Sequence, residues 1–311
     1  MMLCLEAIVS CSNEGVGTAA CRALTALKCA GTPAVAEESG SEDEEEEQWR
    51  GRLRQEHERA LGWCEQELKG RVLSGDRVVL QSLLSAIAIL LDDSAVRPSG
   101  TGLVEPVVVA MQLFPSQARV QVPSSNVLFR LTAGHPARGD AVKLAAFHGG
   151  IGALCQAMRD LPCDGELQRL AVGALRNIAF GNDAYKTLAV RASGASVTIQ
   201  AMLRFSRDPV LQEHALGALT SLCDTVGRAA ACARLGGIMA ITSAMRRHAK
   251  FGRIAELGCI ILCMFCDDAL LQQQIVRSGA LAIAKTLSRT GTKEARRWGC
   301  ELLRDLTDST S

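Results

Sequence analysis

The sequence predicts an all-α chain of stacked three-helix repeats, a solenoid, and three observations carry that prediction. Ala-Met pairs recur at Ala110-Met111, Ala157-Met158, Ala201-Met202 and Ala244-Met245, spaced 47, 44 and 43 residues apart. Each Met is followed by further residues at fixed distances. Ten residues on come Gln121, Gln168 and Gln212, with Ala255 in the fourth place, and seven and ten beyond that come two large apolar residues. These pairs are Leu128/Leu131, Leu175/Ile178, Leu219/Leu222 and Leu262/Phe265, with Leu303/Leu306 one step onward and Ile87/Leu90 one step back. Finally, the 311 residues hold 7 Phe, 3 Trp and 1 Tyr against 28 Gly, with abundant Ala and Leu, which favours close helix packing over a β-rich fold. A period of 41 to 47 residues has room for three helices, and such a unit buries its core only against its neighbours.

Taken from the N-terminus, residues 1–34 read as a partial repeat ending in Leu24/Leu27, because residue 1 begins directly in a second-helix-like segment. That opening is expected to mark a fragment or an edited gene. Residues 35–50 read as an acidic, disordered loop: positions 36–48 hold eight carboxylates and no Lys or Arg, with Gly and Ser between them. The loop fits the gap between Leu24 and Ile87, which is 63 residues, about 20 more than one period. Residues 51–308 form the repeat array, and 309–311 a tail. Within a unit the spacing is helical: Leu170, Ala171, Ala174, Leu175 and Ile178 make one buried stripe. Ile151, Leu154, Ala157 and Met158 share a face of a second helix, and residues 183–190 suit a short first helix. A Gly-centred turn precedes the second helix at Gly150, Gly194, Gly237 and Gly279.

Composition excludes several classes. The net charge is +1, and without the acidic tract the remainder carries +9. The 13 Cys, an odd number, cannot all pair within the chain, so a reducing cytoplasmic compartment, or the nucleus, is expected. The N-terminus has no basic flank and is broken by Glu6, which argues against a signal peptide. The longest apolar stretch, residues 78–91, is too short and too polar to span a bilayer.

The motifs Gly173-Ala174-Leu175-Arg176-Asn177-Ile178 and Gly217-Ala218-Leu219-Thr220-Ser221-Leu222 resemble the third-helix signature of armadillo repeats. Gly149-Gly150-Ile151 and Gly236-Gly237-Ile238 resemble the opening of that family's second helix. The run 244–248 followed by 256–259 is also similar to the armadillo arrays at the N-termini of leucine-rich-repeat kinases. The resemblance implies an armadillo/HEAT-like right-handed α-solenoid of about six to seven repeats, the first incomplete. It further implies a non-enzymatic scaffold or adaptor that binds a partner protein or extended peptide along a concave third-helix groove. The ladder position, where peptide-binding relatives carry Asn, holds Arg130, Asn177, Ser221, Met264 and Asp305, and the accompanying Trp position holds none. Nuclear-localisation signals are therefore not the expected ligand. The groove residues read from this register are Arg130, Arg176, Asn177, Ser221 and Met264.

Other chemistry finds little footing. Gly15-Val16-Gly17-Thr18-Ala19-Ala20 matches a dinucleotide fingerprint but follows no apolar strand. Cys259, Cys263 and Cys266 share one face of an apolar helix and read as small buried hydrophobes rather than zinc ligands. No nucleophile elbow, P-loop or HExxH is present, so no catalytic residue, cofactor or metal is expected. No aromatic residue recurs at a groove position, which argues against sequence-specific nucleic-acid reading. Arg246, Arg247, Lys250 and Arg253 are read as an inter-helix loop cluster, with Arg296, Arg297 and Arg304 near the end. The alternative to a scaffold is a regulatory fragment of a larger signalling protein, acting by self-association or intramolecular control.

Overall fold

The computed structural model describes residues 42–92, 100–133 and 139–308, with the side chains of 42–50, 53, 54 and 57 left aside. The expected partial repeat at 1–34 and the tail at 309–311 lie outside the described residues. Among the described residues there are sixteen α-helices and no strand. The chain divides into two compact units, residues 1–153 and 154–311.

The first unit is built on α1 (Glu42–Ser74), a helix of 33 residues. Composition predicts an acidic loop over 35–50, and from Glu42 onward the stretch is helix instead. Glu is a strong helix former. Ala60, Cys64, Leu68 and Val72, four residues apart, form the buried stripe of α1, and burial pushes the Cys64 thiol up to about 12. Asp76 then caps α2 (Arg77–Leu91), accepting from the Val78 and Val79 amides at 3.2 Å. α2 packs on α1 and on α4 (Ala118–Thr132); α3 (Val104–Leu113) packs on α4 and α1, and α5 (Gly139–Phe147) on α3 and α4.

α6 (Gly150–Asp160) and α7 (Gly165–Ala179) complete the three-helix repeat that α5 opens. Three further repeats come after it: α8 (Asp183–Arg191), α9 (Gly194–Arg204) and α10 (Pro209–Leu222), then α11 (Val226–Arg234), α12 (Gly237–Arg247) and α13 (Gly252–Phe265). The last is α14 (Ala269–Arg277), α15 (Ala280–Thr290) and α16 (Lys293–Asp308). In the second unit the third helices pack side by side, α7 on α10, α10 on α13 and α13 on α16. The recurring apolar pairs are their core: Leu175, Ile178, Leu219, Leu222, Leu262, Phe265 and Leu306 are buried, while Leu303 is half-buried.

The recurring Gln has a definite task. Gln168 Nε2 donates to the Met158 carbonyl at 2.9 Å and the Leu161 carbonyl at 3.1 Å. Gln212 does the same to Met202 (2.9 Å) and Phe205 (3.2 Å), and Gln121 to Met111 and Phe114, both at 2.8 Å. One buried amide thus satisfies the Met carbonyl near the end of the second helix and adds a second bond to the carbonyl just past it, which also accepts a backbone amide from Gln117, Asp164 or Asp208. A second contact joins neighbouring repeats. The residue after each Met reaches the carbonyl that ends the next first helix: Gln112 to His148 at 3.0 Å, Arg159 to Ala192 at 2.8 Å, Arg246 to Ser278 at 2.7 Å. In the remaining repeat that place holds Leu203, 55% exposed.

The turn into the second helix uses two adjacent residues for different reasons. The left-handed residue is Gly149, Ser193, Gly236 or Gly279, with φ between 62° and 86°. The residue after it, Gly150, Gly194, Gly237 or Ala280, opens the helix. A Cβ at Gly237 would lie 2.3 Å from Cys232 Sγ and 2.8 Å from the Cys232 carbonyl oxygen. Gly279 therefore aligns with Gly149 and Gly236, and not with Gly150 and Gly237 as the sequence register suggests. The expected basic loop is also corrected: Arg246 and Arg247 lie in α12 and Arg253 in α13, leaving only Lys250 between the helices.

First helices of the second unit are tied by charge. Asp224 accepts from Lys186 at 2.7 Å and Arg228 at 2.8 Å, and Arg228 also donates to Thr187 at 3.1 Å. Burial works to raise the Asp224 pKa, but the bonds from Lys186 and Arg228 outweigh it and hold the carboxylate below its usual range.

Replacing Gln212 with Leu leaves the Met202 carbonyl without a donor, while that of Phe205 keeps the Asp208 amide, and is expected to lower stability by about 1–3 kcal/mol, read as a drop in the urea midpoint. Leu203→Arg restores the missing donor to the Leu235 carbonyl and is expected to raise that midpoint, by about 1 kcal/mol. Because the folded pKa of Asp224 is depressed, its contribution is present above the ordinary carboxylate pKa of about 3.9 and lost as pH falls through the folded value. Asp224→Asn should therefore flatten the acid limb of a stability–pH profile while lowering stability at neutral pH.

Candidate functional site

The third helices of the second unit present one face to solvent, because their other face carries the buried Gln, Leu and Ile positions of the core. On α7 the solvent face holds Glu166, Arg169, Leu170, Arg176, Asn177 and Phe180, all half-buried or exposed. These positions fall within one arc at about 100° per residue, centred on Gly173. Stepping by the repeat carries the same rows onto α10, α13 and α16.

Four of the five residues read from sequence lie on this layer. Arg176 and Asn177 on α7 and Met264 on α13 are half-buried, whereas Ser221 on α10 is only 7% exposed and belongs to the floor. The fifth, Arg130, belongs to the first unit. There its side chain pairs with Asp92 and donates from Nε to Asn126 at 2.8 Å. Asp305, at the ladder position of α16, accepts a hydrogen bond from Gln272 on its backbone carbonyl.

The face carries charges of both signs at either end. At the α7–α10 end stand Arg169, whose Nε is 4.0 Å from Asp208, and Arg176, whose side chain lies flat over Gly217. A Cβ at Gly217 would sit 2.6 Å from Arg176 Nε and 2.8 Å from its Cδ, so the absent side chain makes room for the arginine. His214, one turn earlier on α10, approaches the Arg169 carbonyl at 3.4 Å through Nδ1. Burial, reinforced by the Arg176 charge, holds its imidazole below the ordinary histidine pKa, against the Arg169 contact and the charges of Glu213 and Asp208.

At the α13–α16 end paired charges stand among apolar residues. Glu256 pairs with Arg253 at 2.9 Å and Glu301 with Arg304. Burial, with the Glu301 charge behind it, raises the Asp305 carboxyl, and Cys263 hydrogen-bonds to that carboxyl. Of the three cysteines on this helix, Cys259 is buried and Cys263 and Cys266 are half-buried. Burial pushes Cys259 and Cys266 up to about 12 and Cys263 up as well, so all three favour the neutral thiol. Among the described residues no group of three or more metal-ligating side chains comes together. No helix among them is long and apolar enough to cross a membrane.

Sequence reasoning missed three residues of this face: Arg169, Phe180 and Trp298. Phe180 is 76% exposed at the end of α7. Trp298 is half-buried on α16, with the Arg297 guanidinium 5.6 Å from its ring centroid. The signal was in the register. Phe180 lies one turn beyond Arg176, and Trp298 lies one turn before Glu301, which fills the ladder-Trp position of α16.

No protein-family profile matches the chain, and no curated protein matches it in sequence. Solved structures do match. A designed armadillo repeat protein superposes with a TM-score of 0.63 at 14% identity, over 78% of this chain and 99% of that one. A designed armadillo repeat protein in complex with the peptide (KR)4 gives 0.61 at 14% identity, over 78% and 98%. An engineered protein gives 0.62 at 17% identity, over 79% and 98%. These likenesses bear on the fold and not on the narrower similarity to kinase arrays. The fold of this chain is an armadillo-like repeat fold, an all-α solenoid.

Proposed function

We propose that the chain is a non-enzymatic protein-binding scaffold whose working surface is the third-helix face of residues 154–311. The observation that carries this reading is the unbroken packing of α7, α10, α13 and α16, which lays their solvent-facing rows side by side. Asn177 and Met264 stand on those rows as half-buried side chains able to hydrogen-bond and to pack, with Ser221 in the floor between them. Such a surface is formed before a ligand arrives, so binding costs little ordering entropy on the scaffold side. The solved armadillo design in complex with (KR)4 gives the peptide reading its support from outside, since it is a protein of this fold class with a bound peptide. The partner on this reading is a protein presenting an extended segment. The peptide of that design is basic, whereas the face here carries charges of both signs, most of its arginines already facing acids.

The test is affinity capture from a native lysate with the intact chain and with an Asn177→Ala/Met264→Lys double variant, after checking that both melt alike by circular dichroism. Partners lost with the double variant alone are the expected result. Identical partners on both would remove the third-helix face as the working surface.

A further inference from the structure

Cations on the third-helix face of the second unit are mostly neutralised where they stand. Arg169 faces Asp208, Arg253 faces Glu256, and Arg304 faces Glu301. Arg176 is different. It is half-buried, it lies across the backbone of Gly217, and among the described residues no carboxylate is within ion-pair distance of it. A guanidinium held flat in this way has lost much of its rotamer freedom before any ligand arrives, and its fork matches a carboxylate in two parallel hydrogen bonds.

Its surroundings select what else a ligand must carry. Toward the C-terminal end of the face, one turn along α7, the ring of Phe180 is largely exposed. The residue that matches Phe180 one repeat on, just past the end of α10, is Asp224, already neutralised by Lys186 and Arg228. Toward the other end stands Glu213, half-buried one turn before Gly217, which repels a second anion on that side. The surface therefore offers one cation and one aromatic ring, four residues apart on a helix, a separation of about 6 Å along the axis. In an extended peptide, side chains two residues apart point the same way and are separated by about 6.7 Å.

We propose that Arg176 and Phe180 form a two-point docking site for an extended segment of a partner protein, with a carboxylate on Arg176 and an apolar side chain, two residues away, on Phe180. This rests on the third-helix face being the working surface, and it names the ligand chemistry there: acidic and apolar, in contrast to (KR)4. Arg176 supplies charge and orientation, and Phe180 supplies area removed from water.

The experiment is selection of a displayed random library of 12-residue peptides on the full chain. Binding of the enriched peptides is then measured to the parent protein and to Arg176→Gln, Arg176→Lys, Phe180→Ala and Asn177→Ala/Met264→Lys. The expected peptides carry Asp or Glu two positions from an apolar residue. Arg176→Gln should weaken them by about tenfold, the scale of one charge-assisted contact, with Arg176→Lys intermediate and Phe180→Ala also weaker. An unchanged thermal melt for each variant separates lost contacts from lost folding. Enrichment of basic peptides, or of none, overturns the proposal. So does binding that ignores both Arg176 and Phe180. If that indifferent binding is nevertheless lost in Asn177→Ala/Met264→Lys, the docking site falls and the third-helix face stands. If it survives every variant, both fall.

Discussion

The third-helix face is held in place by a single amide group, used three times. In each case a buried Gln on the third helix donates both of its N–H bonds to the frayed end of the second. The Met carbonyl of each pair would otherwise be buried without a donor, so a polar requirement helps to fix the angle between the two helices and the apolar stripe then fills the space. Everything outward of that joint inherits its geometry. Asn177 lies nine residues past Gln168 on the same rigid helix, and its row is set once the Gln is seated. The joint between α12 and α13 lacks this device, since Ala255 stands where Gln would. There His248 is buried and its Nε2 meets the Ser206 carbonyl at 2.9 Å, a contact to the preceding repeat.

Charge on the same scaffold obeys a different logic from hydrophobic pattern. Arginines that come directly after the Ala-Met motif are engaged in structure: Arg159 and Arg246 are bound to main-chain carbonyls of the next repeat. Arg253, at the start of α13, finds its acid three residues away. The result is a surface where a count of basic residues overstates the cations available to a partner. Gly217 is the exception that exposes the rule, because the space left by its missing side chain lets Arg176 lie down away from any acid.

Much of this is legible in the sequence, and the rest is hidden for physical reasons. The period, the three helices per unit and the buried pairs emerge from spacing, because core positions repeat with helical geometry and are intolerant of change. The Gln is visible as a recurrence, but its two acceptors are ten and seven residues earlier, and spacing alone does not identify a hydrogen bond. The acidic stretch escapes a reading by composition, which reports solvation, whereas helix formation also depends on the residues downstream. Here the buried stripe from Ala60 to Val72 packs the later turns of the same helix, α1. The glycine register slips because two adjacent positions favour Gly for unrelated reasons, one for its dihedral and one for its missing Cβ. Ser193 shows the first need met without glycine. Surface rows are the least legible: Ser221 lies in the floor and Phe180 stands clear, although both belong to the same kind of helix.

The constancy of the joints has a consequence for how such a chain can vary in length. From the left-handed residue to the Met is nine residues in three successive repeats, from the Met to the Gln position ten, and from there to the first apolar residue of the pair seven. Across these three repeats the drift in period falls elsewhere, between the end of one third helix and the next left-handed turn: 18 residues from Leu131 to Gly149, 15 from Ile178 to Ser193, 14 from Leu222 to Gly236, and only the last repeat, with 24 residues from Gly279 to Leu303, shortens the cassette itself. Insertions and deletions are thereby channelled into one class of connection. Such a change leaves the geometry within each second-to-third-helix cassette alone, so that copies of the repeat can diverge in size without their outer rows falling out of step.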